Sequence, residues 1–378
     1  MATMRIGLTY DLQHDPHDER QAEFDPPGTI EALCCAIEDL GHHVVRLGNA
    51  FDLLAPSLCL SRMSERQRFD GAKALRHSSV RTDLRKGAGL ASTTWMSEVD
   101  VVFNIAEGSH GRCREAWVPN LLELLKVAYV GSDPLALSLG LDKATSKRLA
   151  SACGILTPRG MVVDNPQTAL SAMPLAFPVI VKPRYEGSGV GIDEGAVVHH
   201  REALLDRMRW LFERWPEPMV VEEFIPAGEL TVCLIGNDPP TAYPAIQRSL
   251  DPATRLSCHV LRHATPSAWE APLELTEELD AKAREIALVM FEALGCRDMA
   301  RVDLRVDDAG AVYFLEINPL PSFDPAGSFG LLAEHIGMTY SQLIGTIIGA
   351  AWSRITFAKQ KSLPGSLDGP INFAQQNL

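Results

Sequence analysis

Two strand-like runs around a short turn constrain this chain more than any other stretch. The runs are Ala300-Arg301-Val302-Asp303-Leu304 and Tyr313-Phe314-Leu315-Glu316-Ile317-Asn318-Pro319, with Asp307-Asp308-Ala309-Gly310 between them. Branched and aromatic residues suit a pleated, half-buried surface, and an Asp/Gly turn suits an antiparallel pair. A tight hairpin centred on that turn sets Arg301 opposite Glu316 and Asp303 opposite Phe314. Cross-strand partners share a face, and so do i, i+2 neighbours. Arg301, Asp303, Glu316 and Asn318 therefore fall on one side of one hairpin. A hard cation such as Mg²⁺ takes carboxylate and carbonyl oxygens and shares them with phosphates. A surface hairpin with ordinary ion pairs would carry the same residues, so at this point the sheet is fixed and its chemistry is open.

The chain has 378 residues, which suggests roughly two to three domains or lobes. A hydrophobic fraction of 46% with 22% charged residues is globular. No apolar run is long enough to span a bilayer. Residues 1–8 lack a signal-peptide layout and read as the first strand, so a cytoplasmic protein without membrane attachment is expected. A net charge of −13 argues against a nucleic-acid partner. Eight cysteines occur without a Cys-x-x-Cys pair, which fits reduced thiols rather than a zinc site or a disulfide framework.

Strands at residues 5–10, 44–47 and 100–105 alternate with a helix over 29–40 that stops at Gly41. That pattern predicts an open, doubly wound parallel sheet in an α/β chain. Further helices are expected over 116–125, from Asp142, over 202–211 and over 276–294, and further strands at 127–130, 179–183, 219–224 and 229–235. The expected organisation is an N-terminal α/β domain over 1–140, a central lobe over 141–217, a C-terminal lobe over 218–350 and a tail over 351–378. Within the first domain, 62–92 reads as a mobile basic insertion carrying Arg62, Arg66, Arg68, Lys73, Arg76, Arg81, Arg85 and Lys86. A solvated face explains such a run, and a docking patch for an acidic partner is its alternative.

Lys182-Pro183-Arg184-Tyr185-Glu186-Gly187-Ser188-Gly189-Val190-Gly191 is the second informative stretch. A strand delivers a lysine, and glycines let backbone N–H groups approach an anion closely. The pattern is neither a dinucleotide fingerprint nor a P-loop, and a plain turn is its simpler reading. Glu222-Glu223-Phe224-Ile225 ends a strand, where backbone groups can meet an adenine edge. Glu229 can accept hydrogen bonds from ribose hydroxyls; two solvated acids beside a turn are the alternative.

Taken together, these segments resemble the ATP-grasp enzymes, and most closely the D-alanine–D-alanine ligase-like group, from about Val99 to Ile348. Gly131-Ser132-Asp133-Pro134 with Leu141-Asp142-Lys143 is similar to the segment that supplies a first ATP lysine. Lys182 with Glu186, Gly187, Ser188, Gly189 and Gly191 is similar to the second lysine and the phosphate loop. Glu222, Glu223, Phe224 and Ile225 resemble the adenine hinge, and Glu229 the ribose carboxylate. The resemblance implies two lobes that clamp ATP, with Asp303, Glu316 and Asn318 as ligands of two Mg²⁺ ions, Mn²⁺ being an alternative metal. It implies a ligase that converts a carboxylate to an acyl phosphate and passes the acyl group to an amine, forming an amide as in a dipeptide. Arg301 and a backbone N–H near Ser322 would meet the oxyanion, Ser188 would serve the phosphate loop, and Arg262 stands where a lysine is usual. Small-molecule amino-acid substrates, a role in peptidoglycan synthesis and a homodimer through the N-terminal domain are further implications.

The chain departs from that family on the amino-acid side. The first loop reads Gly7-Leu8-Thr9-Tyr10-Asp11, and Glu23 is the nearest candidate for the glutamate that holds an ammonium group. The family's acid–histidine segment is replaced by Glu107-Gly108-Ser109-His110-Gly111-Arg112-Cys113-Arg114-Glu115. Ser322 stands where a glycine is usual, and Ser328 is a shifted candidate for gripping a substrate carboxylate. A ligase of a specialised pathway with other substrates is therefore the principal alternative to a D-alanine ligase. A non-catalytic ATP-binding regulatory protein is the alternative of a different class.

Overall fold

The computed structural model describes residues 2–54, 93–166, 175–258, 261 and 269–361. The basic segment over 62–92, Arg262 and residues 362–378 of the expected tail lie outside them.

The first sheet contains β1 (Arg5–Thr9), β2 (His43–Gly48), β3 (Val101–Asn104) and β4 (Tyr129–Val130), in the order β2-β1-β3-β4. Every pairing in it is parallel. Its central strands are buried on both faces, with Ile6, Leu8, Val101, Val102 and Phe103 at 1% exposure or less. Helix α1 (Pro27–Asp39) starts with proline at its first turn and buries Ile30, Leu33, Ala36 and Ile37 on one stripe. Gly41, at φ 81°, takes the left-handed conformation that turns the chain back into β2. Helices α2 (Ala50–Leu54) and α3 (Trp117–Leu124) cover the other face, where Leu53, Val118 and Leu122 pack with Val102.

Two helices missing or incomplete in the sequence reading lead out of this domain. Asp133 caps α4 (Pro134–Leu141), accepting hydrogen bonds from the Leu135 and Ala136 amides. Asp142 caps α5 (Lys143–Ala152) in the same way through Ala144 and Thr145. A single capping residue between two helices fixes where α5 begins, and so where Lys143 sits.

The central sheet contains β5 (Gly160–Val163), β6 (Val179–Pro183), β7 (Val197–Val198) and β8 (Met219–Glu223), in the order β5-β8-β6-β7. Helix α6 (Arg201–Arg214) backs it with Leu204, Met208 and Leu211. The expected boundary at 217/218 would give Met219–Glu223 to the following lobe. Pairing of β8 with β5 and β6 places it in the central sheet instead. A boundary read from chain order misses this because the strand that completes a sheet arrives after the helix.

The third sheet contains β9 (Gly228–Ile235), β10 (Thr241–Ala242), β11 (Ile246–Arg248), β12 (Met299–Val306) and β13 (Val312–Asn318). Its order is β10-β9-β12-β13, with β11 also on β9. Helix α7 (Glu277–Leu294) lies on it, capped by Thr276 and ended by Gly295 at φ 68°. The expected hairpin register is corrected here. Asp303 faces Glu316 and Arg301 faces Asn318, and the pairing then shifts so that Leu304 faces Phe314. Leu315 is the extra residue of a bulge. The loop is also wider than a turn centred between Asp308 and Ala309. The Asp307 carboxylate accepts from the Ala309 and Ala311 amides, each at 2.9 Å, and closes a loop from Asp307 to Ala311.

The chain then returns to its beginning. Helices α8 (Ser328–His335) and α9 (Tyr340–Lys361) bury Phe329, Leu343, Ile344 and Ile347 against Ile6, Leu8 and Leu33. The tail expected from residue 351 is therefore helical to Lys361, with Ala351 and Ile355 in that core. A Cβ on Gly345 would stand 3.1 Å from Leu40, so the glycine permits the close approach of α9 to the end of α1. Among the described residues, no helix is long and apolar enough to cross a membrane.

Candidate active site

The hairpin face meets the helix start and the glycine loop in the cleft between the central and third sheets. Asp303 is held from three sides. Arg301 Nε and Nη2 donate to its Oδ2 at 3.0 and 2.8 Å, Asn318 Nδ2 donates to Oδ2 at 3.2 Å, and Thr231 Oγ1 donates to Oδ1 at 2.8 Å. Across the ladder, Glu316 lies 3.5 Å from Lys143 Nζ. Burial pushes the Glu316 carboxyl up, but Lys143, Lys182 and Arg301 override it and hold its pKa at about 2. Glu316 is thus an anion at any physiological pH.

Lys182, on β6, lies 2.7 Å from Glu222 on β8, and Lys147 reaches the same carboxylate at 3.1 Å. Burial lowers the Lys147 pKa to about 8 against the opposing pull of Glu222. Sequence reading passed over Lys147, although it lies one helical turn from Lys143 on the same face of α5. It assigned Glu222 to the hinge with Glu223, Phe224 and Ile225. The Glu222 side chain is occupied by the two lysines, which leaves backbone groups as this strand's contribution to a ligand. Glu229 lies 3.5 Å from Arg305, whose guanidinium stands 4.9 Å from the Phe224 ring centroid. Arg305 was also missed; it follows Asp303 by two residues on the same face of β12.

The glycine loop is anchored by the N-terminal domain. Gly187 N donates to Glu23 Oε1 at 2.6 Å, and Lys143 Nζ donates to the Glu186 carbonyl. Arg114 binds Glu23 through both carboxylate oxygens, at 2.8 and 2.6 Å, and donates to the Tyr185 carbonyl at 3.0 Å. Ser188, Gly189 and Gly191 all have positive φ, of 51, 74 and 70°. A Cβ on Gly191 would come within 2.8 Å of Pro183 and Leu211, so a side chain there would displace the loop from β6 and α6.

Two cavities flank this constellation. One, of about 70 Å³, is lined by Lys143, Lys182, Glu222, Phe224, Glu229, Asp303 and Glu316 among others. The second, of about 290 Å³, lies between the N-terminal domain and the hairpin, and Glu23, Lys143, Ser188, Arg301, Asn318, Ser322 and Ser328 are among its lining residues. Ser328, at the start of α8, accepts a hydrogen bond from Arg248, which also donates to Thr231 at 3.1 Å. Arg248 gave no sequence signal, because β11 is three residues long. Glu186 lines the smaller cavity, and burial raises its pKa to about 7.

The donor set suits a hard cation. Asp303, Glu316 and Asn318 bring two carboxylates and one amide oxygen to neighbouring ladder positions, and Mg²⁺ is commonly bound by one or two carboxylates plus phosphates. Among the described residues no cluster of three or more His, Cys, Asp or Glu forms a complete protein cage, so such an ion would draw further ligands from its substrate.

The family described as D-ala D-ala ligase C-terminus matches residues 158–349. An uncharacterized protein, y4sG, from Sinorhizobium fredii is 34% identical over 67% of this chain and 75% of its own. A D-alanine–D-alanine ligase from Marinomonas sp. is 32% identical over 68% of this chain and 79% of its own. Among solved structures, D-alanine–D-alanine ligase from Bacillus anthracis complexed with ATP superposes with a TM-score of 0.62 at 22% identity, covering 94% of this chain and 99% of that one. The VanG D-Ala:D-Ser ligase from Enterococcus faecalis superposes with a TM-score of 0.66 at 20% identity, covering 92% and 99%. These structures share the ATP-grasp fold.

Proposed function

The chain belongs to the D-alanine–D-alanine ligase family, whose members are ATP-dependent ligases, and we propose that its cleft joins an amino acid to an amine through an acyl phosphate. The observation that carries this reading is the hairpin face. Asp303 and Glu316 stand opposite each other, with Arg301 and Asn318 one ladder position away and Lys143 against Glu316. Phosphoryl transfer needs positioning and charge neutralisation more than covalent help, and this face offers both.

ATP enters between the central and third sheets, with its phosphates toward Lys143, Lys182 and the Glu186–Gly191 loop. The strand end at Glu223–Ile225 meets the adenine, and Glu229 the ribose. Asp303, Glu316 and Asn318 hold Mg²⁺, which when bound neutralises phosphate charge. The substrate carboxylate lies in the larger cavity and attacks the γ-phosphorus, breaking the bond to ADP. The amine then attacks the acyl carbon. Arg301 and the backbone amide near Ser322 face the developing oxyanion, and phosphate leaves. Ser188 donates from the loop that covers the phosphates, and Ser328 beside Arg248 suits the carboxylate of a second amino acid. The enzyme works in the cytoplasm as a homodimer through its N-terminal domain, which sedimentation of the purified chain checks.

Phosphate release from ATP, measured over a panel of D- and L-amino acid pairs with mass spectrometry of the products, tests this function. Amino-acid-stimulated release with formation of a dipeptide mass is expected. No stimulated release across the panel would return the chain to the regulatory ATP-binding reading.

A further inference from the structure

The larger cavity carries more negative charge than amide formation uses. Glu23, Asp25, Glu107, Glu115, Glu316 and Asp324 line it, against the cations Lys143 and Arg301. Half of those acids are engaged. Glu316 lies beside Lys143, Glu23 is bound by Arg114, and Asp324 accepts from the Ala326 amide at 2.8 Å. The carboxylates of Asp25, Glu107 and Glu115 receive neither a hydrogen bond nor an ion pair from any described residue. Asp25 and Glu115 nevertheless keep only 6% and 8% of their surface. Arg114 is the nearest arginine to Glu107 and Glu115, but its guanidinium is committed to Glu23 and to the Tyr185 carbonyl.

A buried carboxylate without a partner is costly, and three around one cavity are satisfied together only by cationic ligand groups. The reaction itself accounts for one of them. The α-ammonium of the first amino acid stays charged and needs one carboxylate, whereas the attacking amine must be neutral. We infer that this cavity admits a diamino acid, whose side-chain ammonium reaches Asp25 and Glu107 while its α-ammonium faces Glu115. The inference rests on the ligase reading above and names the substrate class of that same site. Burial first, and neighbouring carboxylates second, hold Asp25 and Glu107 above the ordinary carboxylate range, and a bound ammonium group would lower both.

Calorimetric titration of the full chain, with Mg²⁺ and a non-hydrolysable ATP analogue present, tests the assignment. The probes are ornithine and 2,4-diaminobutyrate of both hands, against the neutral norvaline and 2-aminobutyrate. At least one diamino acid should bind tenfold or more tighter than its neutral counterpart. That advantage should fall below threefold in Asp25→Asn and in Glu107→Gln. Equal or tighter binding of the neutral compounds to the parent protein overturns the inference, and this comparison decides even where a variant does not fold. Persistence of the advantage in both folded variants overturns the assignment to these residues. Phosphate release over the same compounds separates the two readings. Turnover of neutral amino acids without a diamino preference sinks the inference and leaves the ligase. A diamino preference in binding without any turnover sinks the ligase and leaves the cationic site.

Discussion

Asp303 and Glu316 face each other across the ladder but live in different surroundings. Asp303 receives four hydrogen bonds, from Arg301, Asn318 and Thr231, whereas Glu316 has the cations Lys143, Lys182 and Arg301 around it. Removing the charge of either should strip the phosphates of their partner without removing the nucleotide's other contacts. Glu316→Gln and Asp303→Asn are expected to lower kcat by roughly 10²-fold or more while the KM for ATP changes little. Steady-state kinetics decide, and near-normal turnover in either variant would remove that residue from the ligand set. Asp11 offers a separate test far from the phosphates. Its carboxylate accepts from the Gly108 amide at 2.8 Å, yet burial raises its pKa from 3.8 to about 6. A raised carboxyl contributes stability in full below its unfolded value and loses it as pH rises through the folded value. Asp11→Asn keeps an acceptor and cannot ionise. It should match the parent near pH 4 and exceed it near pH 8 by something on the order of 3 kcal/mol at most. Denaturant melts at the two pH values read this out, and an equal effect at both would show that ionisation is not the cause.

At the scale of elements, the glycine loop is the part with two jobs. It is tied to the N-terminal domain through Gly187–Glu23 and Lys143–Glu186, and it lines the small nucleotide cavity as well. About 70 Å³ is far below the few hundred Å³ of a ligand pocket, so the loop and central sheet must move for ATP to enter. Hydrogen exchange of residues 184–191 should slow when ATP and Mg²⁺ bind, and exchange indifferent to both would show that the loop is no lid. The same elements show what a sequence can convey. Lys182 and the glycines were legible because a strand, a lysine and close-packed glycines are contiguous. The shared face of Arg301, Asp303, Glu316 and Asn318 was legible because alternation survives a shift of register. The register itself was not, because a bulge at Leu315 and a loop closed by the Asp307 side chain leave no mark in alternation. Lys147, Arg248 and Arg305 were missed because their roles depend on Glu222, Ser328 and Glu229, which distant strands and helices deliver. Helix α9 was missed past residue 350 because its apolar stripe is broken by glycines that serve its packing on α1.

The whole molecule is organised by which cores are shared. The first sheet and α9 form one core, in which Ile344 and Ile347 at the chain's end meet Ile6 and Leu8 at its start. Cys233, Ile235 and Met299 of the third sheet join the same core, so the N-terminal domain and the hairpin's sheet are braced together. The central sheet and α6 pack around Val179, Val181, Leu204, Met208 and Val221, with no residue in common with that core. A lobe with a separate core can swing as a body and carry Lys182 and the loop with it, whereas the floor made by β12 and β13 stays fixed to the amino-acid side. Ile347→Ala separates these behaviours. The side chain is fully buried, and its truncation should cost about 2–5 kcal/mol. Native-state hydrogen exchange should show that loss in the amides of β1 and β3. The amides of β6 should keep most of their protection, because their core loses no contact. An equal loss in β6 would mean that the three sheets open as one unit, and nucleotide entry would then need a local displacement of the Glu186–Gly191 loop alone.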